Sequence, residues 1–192
     1  MPGPTFLRGD RVDLCPIEED DLPFVQRAIN DPRVRATLQS AEPKNREQER
    51  EWLESLADRD GETLLVVADG DGVGTVGYGN EVTTWGTAEV GYAIAHEHWG
   101  NGYATEAVAL LTRYAFAERR LEKLTATVYA HNPSSMRVLE KAGWHEEAVH
   151  EREAFVEGER VDCHRYVAFA DEWEPTDERA RAALAAGERG GD

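Results

Sequence analysis

The chain has 192 residues, enough for one domain with a real core, and carries 38 acidic against 21 basic side chains, a net charge of −17. With an isoelectric point of ≈ 4.7, such a surface repels phosphate backbones and argues against nucleic acid as a ligand. No apolar run approaches the roughly eighteen residues of a membrane span, and MPGPTFLRGD at the start lacks the basic and apolar regions of a secretory signal. Cys15 and Cys163 are too far apart for a metal spacing or a disulfide framework, which points to a reducing cytoplasm.

Three readings of the acidity compete: adaptation to a high-salt (halophilic) cytoplasm, where screening relieves self-repulsion, a face for cationic substrates, and an ordinary solvated surface. Arginine supplies nearly all the positive charge, since Lys44, Lys123 and Lys141 are the only lysines.

Along the chain, Arg11 to Ile17 (RVDLCPI) alternates as a short strand. Glu18 to Asn30 places Leu22, Val25, Ala28 and Ile29 at helical spacing, and Asn45 to Ala57 turns Trp52, Leu53 and Leu56 to one side of a second helix. The period then changes. Leu64 to Ala68 (LLVVA) reads as a strand that turns at Asp69-Gly70-Asp71-Gly72 into Val73 to Val82, and a turn at Trp85-Gly86 precedes a strand from Thr87 to Ala95. A helix follows Gly102 with Asn101 as its N-cap, then a strand from Leu124 to Tyr129. Asn132 as N-cap and Pro133 at the first position open a helix that ends at Lys141, with Gly143 just beyond. Two strands flank Glu157-Gly158-Glu159. Past Trp173 the sequence becomes polar and rich in alanine, glutamate and arginine, either a short helix capped by Thr176 or a loose tail. The expected division is a domain over 1–173 and an acidic, alanine-rich segment over 174–192. This order gives an α+β fold, a mostly antiparallel mixed sheet of about seven strands with helices on its faces.

Two glycine motifs invite a phosphate-binding reading. Gly72-Val73-Gly74-Thr75-Val76-Gly77 has the three glycines of a dinucleotide fingerprint but continues as strand rather than entering a helix, so it reads as a relaxed hairpin. Trp99-Gly100-Asn101-Gly102-Tyr103-Ala104 has the required context of strand, glycine turn and helix. Its first-turn N–H groups lack intrahelical acceptors and face an anion site.

WGNGYATEA followed by NPSSMRVLEKAGW resembles the GNAT superfamily of acetyl-CoA-dependent N-acetyltransferases, in the branch of the ribosomal-protein N-terminal acetylating enzymes. The likeness extends to Glu89-Val90-Gly91-Tyr92 and to DCHRYVAFADEW over 162–173, and spans most of residues 8–173. It implies a GNAT fold with splayed central strands. Acetyl-CoA would lie in the gap between the Gly91–Ala95 strand and the Leu124–Tyr129 strand. Ile94 and Ala95 would meet the pantetheine arm, while Trp99, Gly100, Asn101, Gly102, Tyr103, Ala104 and Thr105 would form the diphosphate turn. Trp99 departs from the family's usual Gln or Arg. Asn132 would contact pantetheine, and Ser135 would serve as a hydrogen-bond donor or relay to the leaving sulfur. The tyrosine that many family members use as acid matches Leu139 here.

For the amine proton, Glu89 is the candidate base, acting through water. Alternation places it with Gly91 and Ala93, opposite Val90, Tyr92 and Ile94. Glu157 and Glu159 read as turn residues near the place where substrates of the family dock. Tyr78, Trp85, Phe155 and Tyr166 either wall a substrate groove or belong to the core. The scattered histidines have no partners at zinc spacing, so no metal is expected, and His96 and His98 line the cofactor mouth or face solvent. The expected reaction is acetyl transfer to a primary amine in a ternary complex, with a ribosomal or other protein N-terminal α-amine as the leading acceptor. Its pKa near 8, against about 10 for lysine, leaves an appreciable neutral fraction. A polyamine, aminoglycoside or amino acid is the alternative acceptor, and a non-catalytic acyl-CoA-binding module the alternative class. A homodimer is compatible with the branch.

Overall fold

The computed structural model describes residues 2–39 and 42–189. Eight strands form one sheet in the order β1-β2-β3-β4-β5-β6-β8-β7. They are β1 (Leu7–Arg8), β2 (Asp13–Pro16), β3 (Glu62–Ala68), β4 (Asp71–Val82), β5 (Thr87–Ile94), β6 (Lys123–Tyr129), β7 (His145–Val156) and β8 (Glu159–Phe169). All neighbours are antiparallel except β5 and β6. The helices are α1 (Leu22–Asn30), α2 (Pro32–Arg35), α3 (Arg46–Ser55), α4 (Tyr103–Ala117), α5 (Pro133–Lys141) and α6 (Glu178–Arg189).

Most elements fall where alternation and helical spacing place them, and the differences have local causes. The eighth strand is β1, two residues too short to show a period. The helix expected from Glu18 starts as a 3-10 turn over Glu19–Asp21, because the Glu18 N–H donates to the Asp21 carboxylate at 2.9 Å. Asn101 does not cap α4. Its side-chain amide turns back to the His98 carbonyl at 3.0 Å, and Gly102 takes the capping position at φ +85°, a left-handed conformation that favours glycine. Asn45 does cap α3, in a reciprocal capping box with Gln48. The three-glycine run from Gly72 lies within β4, paired with β3 and, from Gly74 onward, with β5 as well. A side chain at Gly74 or Gly77 would strike the Ala93 or Glu62 carbonyl.

Sheet alternation divides the core in two. Val12, Leu14, Val66, Val76, Val90, Leu124 and Val128 face α4 and α5, where Leu110, Leu111 and Leu139 are fully buried. Cys15, Ile17, Leu65 and Val67 face α1 and α3. Each such aliphatic side chain contributes about 1.5–3 kcal/mol of burial. The C-terminal residues form α6 rather than a loose tail: Ala180 and Ala183 are fully buried, and α6 packs on α4. Its first turn is held by Asp177, whose carboxylate accepts the Arg179 N–H at 3.0 Å, while the expected cap Thr176 donates to the Glu140 carbonyl at 2.9 Å.

Two buried carboxylates stand out. One Glu106 oxygen accepts the backbone N–H groups of Asp10 and Arg11 at 2.7 Å and of Val12 at 3.1 Å, fastening the β1–β2 turn to the start of α4. Gly9 admits this approach, since a Cβ there would lie 2.5 Å from that oxygen. Glu49, only 3 % exposed, borders a cavity of ≈ 420 Å³ between α1, α3 and the small floor residues Gly74, Thr75 and Ala93. Burial pushes its carboxyl up from the ordinary value, and the Lys44 ammonium offsets part of that rise.

Replacing Glu106 with alanine strands three backbone donors and is expected to cost about 3 kcal/mol of stability in urea unfolding; a loss under about 0.5 kcal/mol would deny the clamp. Glu49 has the opposite sign. Its raised pKa means the folded chain binds the proton more tightly, so the group favours folding at low pH and loses that benefit as pH rises through the raised value. Glu49→Gln is therefore expected to raise the thermal midpoint at pH 7, with the gap from wild type closing towards pH 4.

Candidate active site

β5 and β6 pair through only three residues, Thr87 with Lys123, Ala88 with Leu124 and Glu89 with Thr125. Beyond Glu89 each strand stays with its outer neighbour. β5 follows β4 as far as Ile94, and β6 follows β8 as far as Tyr129. The two strands thus part, leaving the β6-facing edge of β5 without ladder partners. A cleft of ≈ 850 Å³ occupies the gap.

The α4 turn closes one end of this cleft. Gly100 and Gly102 have φ of +80° and +85°, and a Cβ built on Gly100 meets nothing within 4 Å. The indole N–H of Trp99 donates to the Ile94 carbonyl at 2.7 Å, tying the turn to the end of β5. This contact gives the tryptophan a structural use at a position where the family pattern has Gln or Arg. Arg11 donates to the Asn101 carbonyl at 2.7 Å, with its guanidinium carbon 5.1 Å from the centre of the Tyr103 ring, so the Glu106 clamp also positions the turn.

α5 enters from the other strand. Asn132 caps it by accepting the Ser135 N–H at 3.1 Å. The Ser135 hydroxyl lies 2.6 Å from the Tyr92 hydroxyl, which also sits 3.0 Å from the Ser135 carbonyl. Burial pushes the Tyr92 phenol well above its ordinary value, and the hydrogen bond to Ser135 opposes that only in part. Tyr92 therefore stays protonated as a donor.

On the opposite face of β5, Glu89 accepts from Asn80 Nδ2 at 3.1 Å and from the Thr127 hydroxyl at 3.3 Å. Asn80 reaches it because β4 carries an irregularity there, with Asn80 at φ +52°. Gly91 leaves the neighbouring strand surface open, with nothing within 4 Å of a built Cβ.

Ile94, Trp99, Gly100, Gly102, Tyr103, Ala104, Thr105, Asn132, Ser135 and Glu89 all line the cleft. Ala95 and Asn101 do not. The Ala95 N–H is taken by the Val73 carbonyl at 2.9 Å, and the Asn101 side chain is folded onto His98. Leu139 is fully buried, so no side chain stands at the cleft from that position. Tyr78 and Tyr166 belong to the core, Trp85 and Phe155 are 73 % and 67 % exposed, and none of the four borders the cleft. His98 lines it, and among the described residues no group of three potential ligands could hold a metal ion.

Sequence reasoning missed two contributors. Alternation sets Tyr92 on the face opposite Glu89 and gives it no role, since no local signal links it to Ser135, 43 residues away. The short helix α2 and the residues after it, Thr37 to Gln39, form part of the wall. Asp31-Pro32, a cap followed by a first-turn proline, was the available signal.

Residues 11–145 match the family described as Acetyltransferase (GNAT) domain. YkkB of Bacillus subtilis is 33% identical over 153 residues, covering 76% of this chain and 88% of that protein. Among solved structures, RimJ of Mycobacterium smegmatis, in complex with CoA-disulfide, superposes with a TM-score of 0.79 at 24% identity, covering 97% of this chain and 94% of its own. The spermidine N-acetyltransferase of Vibrio cholerae, in complex with CoA and spermine, gives 0.78 at 23%, covering 84% and 97%. At those identities the two structures speak for the fold, whereas the family match and YkkB speak for descent. The splayed strands, the glycine turn and the matched 135-residue span agree: this chain belongs to the GNAT family and is an N-acetyltransferase.

Proposed function

We propose that acetyl-CoA binds in the cleft with its diphosphate on the α4 turn and its pantetheine arm along β5. There it would take up backbone hydrogen bonds that β6 leaves unmade, as an added strand does. The fit rests on three features: the unpaired β5 edge beyond Glu89, the open space at Gly100, and a turn with N-terminal helix donors directed at the cleft. The Vibrio cholerae and Mycobacterium smegmatis neighbours, whose complexes contain CoA and CoA-disulfide, support a coenzyme of this kind on the same fold.

The acceptor amine would approach from the Glu89 and Gly91 face, opposite Ser135. Acetyl-CoA supplies the activated thioester. A neutral amine nitrogen attacks the thioester carbonyl, forming the C–N bond, and the C–S bond breaks. Backbone N–H groups of β5 beyond Glu89 would receive the developing oxyanion, and Glu89 would take the amine proton through water. Ser135 donates to the departing sulfur, and the buried Tyr92 phenol, within hydrogen-bond distance of both the Ser135 hydroxyl and the Ser135 carbonyl, holds the serine in position. The observation that carries this reading is the division of the cleft, with the Ser135–Tyr92 pair on one face of β5 and Glu89 on the other.

For the acceptor, we favour a protein N-terminal α-amine. The motif resemblance to ribosomal-protein N-terminal acetylating enzymes supports it, as does an acidic chain suited to basic partners. A small polyamine is the second reading, favoured by the spermidine N-acetyltransferase neighbour. Thiol release from acetyl-CoA, measured with basic peptides bearing free N-termini, with the same peptides N-terminally blocked, and with spermidine, separates the two. The free peptides are expected to be turned over best; preference for spermidine moves the acceptor to small amines. Repeating the assay and thermal melts over a potassium chloride series tests the high-salt reading, which expects both stability and rate to rise with salt.

Ser135→Ala is expected to lower kcat about tenfold to a hundredfold with coenzyme affinity within about twofold, and Tyr92→Phe to lower it less. An unchanged kcat in Ser135→Ala would remove the serine from the mechanism. Gly102→Val should weaken coenzyme binding at least about tenfold, by straining φ +85° and filling the approach to the turn.

A further inference from the structure

The phosphate end of the cleft carries more positive charge than the glycine turn itself explains. Two guanidiniums meet on one acceptor there. Arg11 donates to the Asn101 carbonyl at 2.7 Å and Arg179, from the first turn of α6, donates to the same carbonyl at 3.4 Å. Neither arginine forms an ion pair among the described residues, although the chain has a net charge of −17. Of the other cationic side chains at the cleft, Arg137 also lacks an ion pair among the described residues but donates to the Ser134 hydroxyl at 3.2 Å, while two others are neutralised. Arg33 is held by Asp31 at 2.6 Å and Lys141 by Asp177 at 3.7 Å. Two like charges beside the positive end of α4, neither ion-paired among the described residues and with the nearby Glu106 carboxylate engaged by backbone N–H groups, favour an anion at this end of the cleft.

Arg179 alone of the two lines the cleft, and its terminal nitrogen lies 2.6 Å from where a Cβ on Gly102 would stand. Its location is fixed from behind. Asp177 accepts its N–H, Ala180 and Ala183 are fully buried, and Arg113 donates to the Leu184 carbonyl at 2.8 Å. The guanidinium is thus delivered by a docked helix rather than by a free tail.

We propose that Arg179 is a phosphate-binding residue: α6 carries it over the glycine turn, where it pairs with the diphosphate of the coenzyme. The C-terminal helix is then part of the coenzyme site. Arg11 acts differently, as a positioning residue that holds the Asn101 carbonyl and so the shape of the turn. The assignment rests on the coenzyme reading given above, and goes beyond it in placing a contact outside the sequence motif. A guanidinium fork matches adjacent phosphate oxygens better than an ammonium does, so lysine is an incomplete substitute.

The test is calorimetric titration of the full chain and its Arg179→Ala and Arg179→Lys variants with CoA, dephospho-CoA and pantetheine. Arg160→Ala, which removes an exposed β8 arginine packed over Phe155, controls for the change in net charge. Arg179→Ala is expected to weaken CoA and dephospho-CoA about tenfold to a hundredfold and to leave pantetheine unchanged, with Arg179→Lys in between. Arg160→Ala should stay within about twofold. A loss with CoA that vanishes with dephospho-CoA would overturn the diphosphate assignment and move Arg179 to the 3′-phosphate. An equal loss with pantetheine would mean a structural effect, and no loss with CoA would remove the residue from the site. If the wild-type chain binds no CoA, the coenzyme reading itself fails and this one with it; CoA binding untouched by Arg179→Ala defeats only the present inference.

Discussion

β5 and β6 are neighbours that stop pairing after Glu89, and nearly everything about the site depends on that early end to a ladder. A strand edge with unmade backbone hydrogen bonds invites a partner that completes it. Here neither strand is free to close the gap, because beyond Glu89 β5 is held by β4 to Ile94, and β6 is held by β8 to Tyr129. The sheet therefore keeps an opening through its centre, reachable from both faces. Alternation along β5 then sorts the chemistry, sending Tyr92 towards α5 and Ser135 and leaving Glu89 and Gly91 on the far side.

Charge is distributed to match. The chain is strongly acidic overall, yet the end of the cleft at α4 gathers an oriented helix terminus and two arginines without ion pairs among the described residues, arranged by a buried carboxylate that does not line the cleft. Glu106 spends one oxygen on three backbone donors, which fixes Arg11, which in turn fixes the Asn101 carbonyl. Glu89 lines the cleft on the other face of β5. A ligand with a polyanionic end and a neutral arm suits this gradient, and an acceptor carrying positive charge suits the other side.

The parts legible in the sequence were those set by local rules. Asn132-Pro133 and the glycines at 100 and 102 announce helix starts through capping and backbone conformation, and the alternation at Glu89 to Ile94 assigns faces correctly. What escaped depends on contacts between distant segments. The Tyr92–Ser135 pair, the placement of Arg179 and the clamp at Glu106 join residues 43, 78 and 95 positions apart, and no periodicity carries that information. Asn101 shows the limit of propensity: it is a good capping residue, but a glycine with positive φ next door and a carbonyl at His98 offered its side chain a different partner. The C-terminal residues read as polar because α6 docks through small alanines, which give little hydrophobic signal.

The central claim is that the coenzyme completes the edge of β5 that β6 abandons. Amide hydrogen exchange, measured residue by residue with and without acetyl-CoA, addresses it directly. The account predicts slower exchange on binding at two separated places, the β6-facing amides within Gly91–Ile94 and the turn amides of Gly102–Thr105, with little change along the β3–β4 ladder. Acetyl-CoA that binds while both segments exchange at their unliganded rates would contradict it.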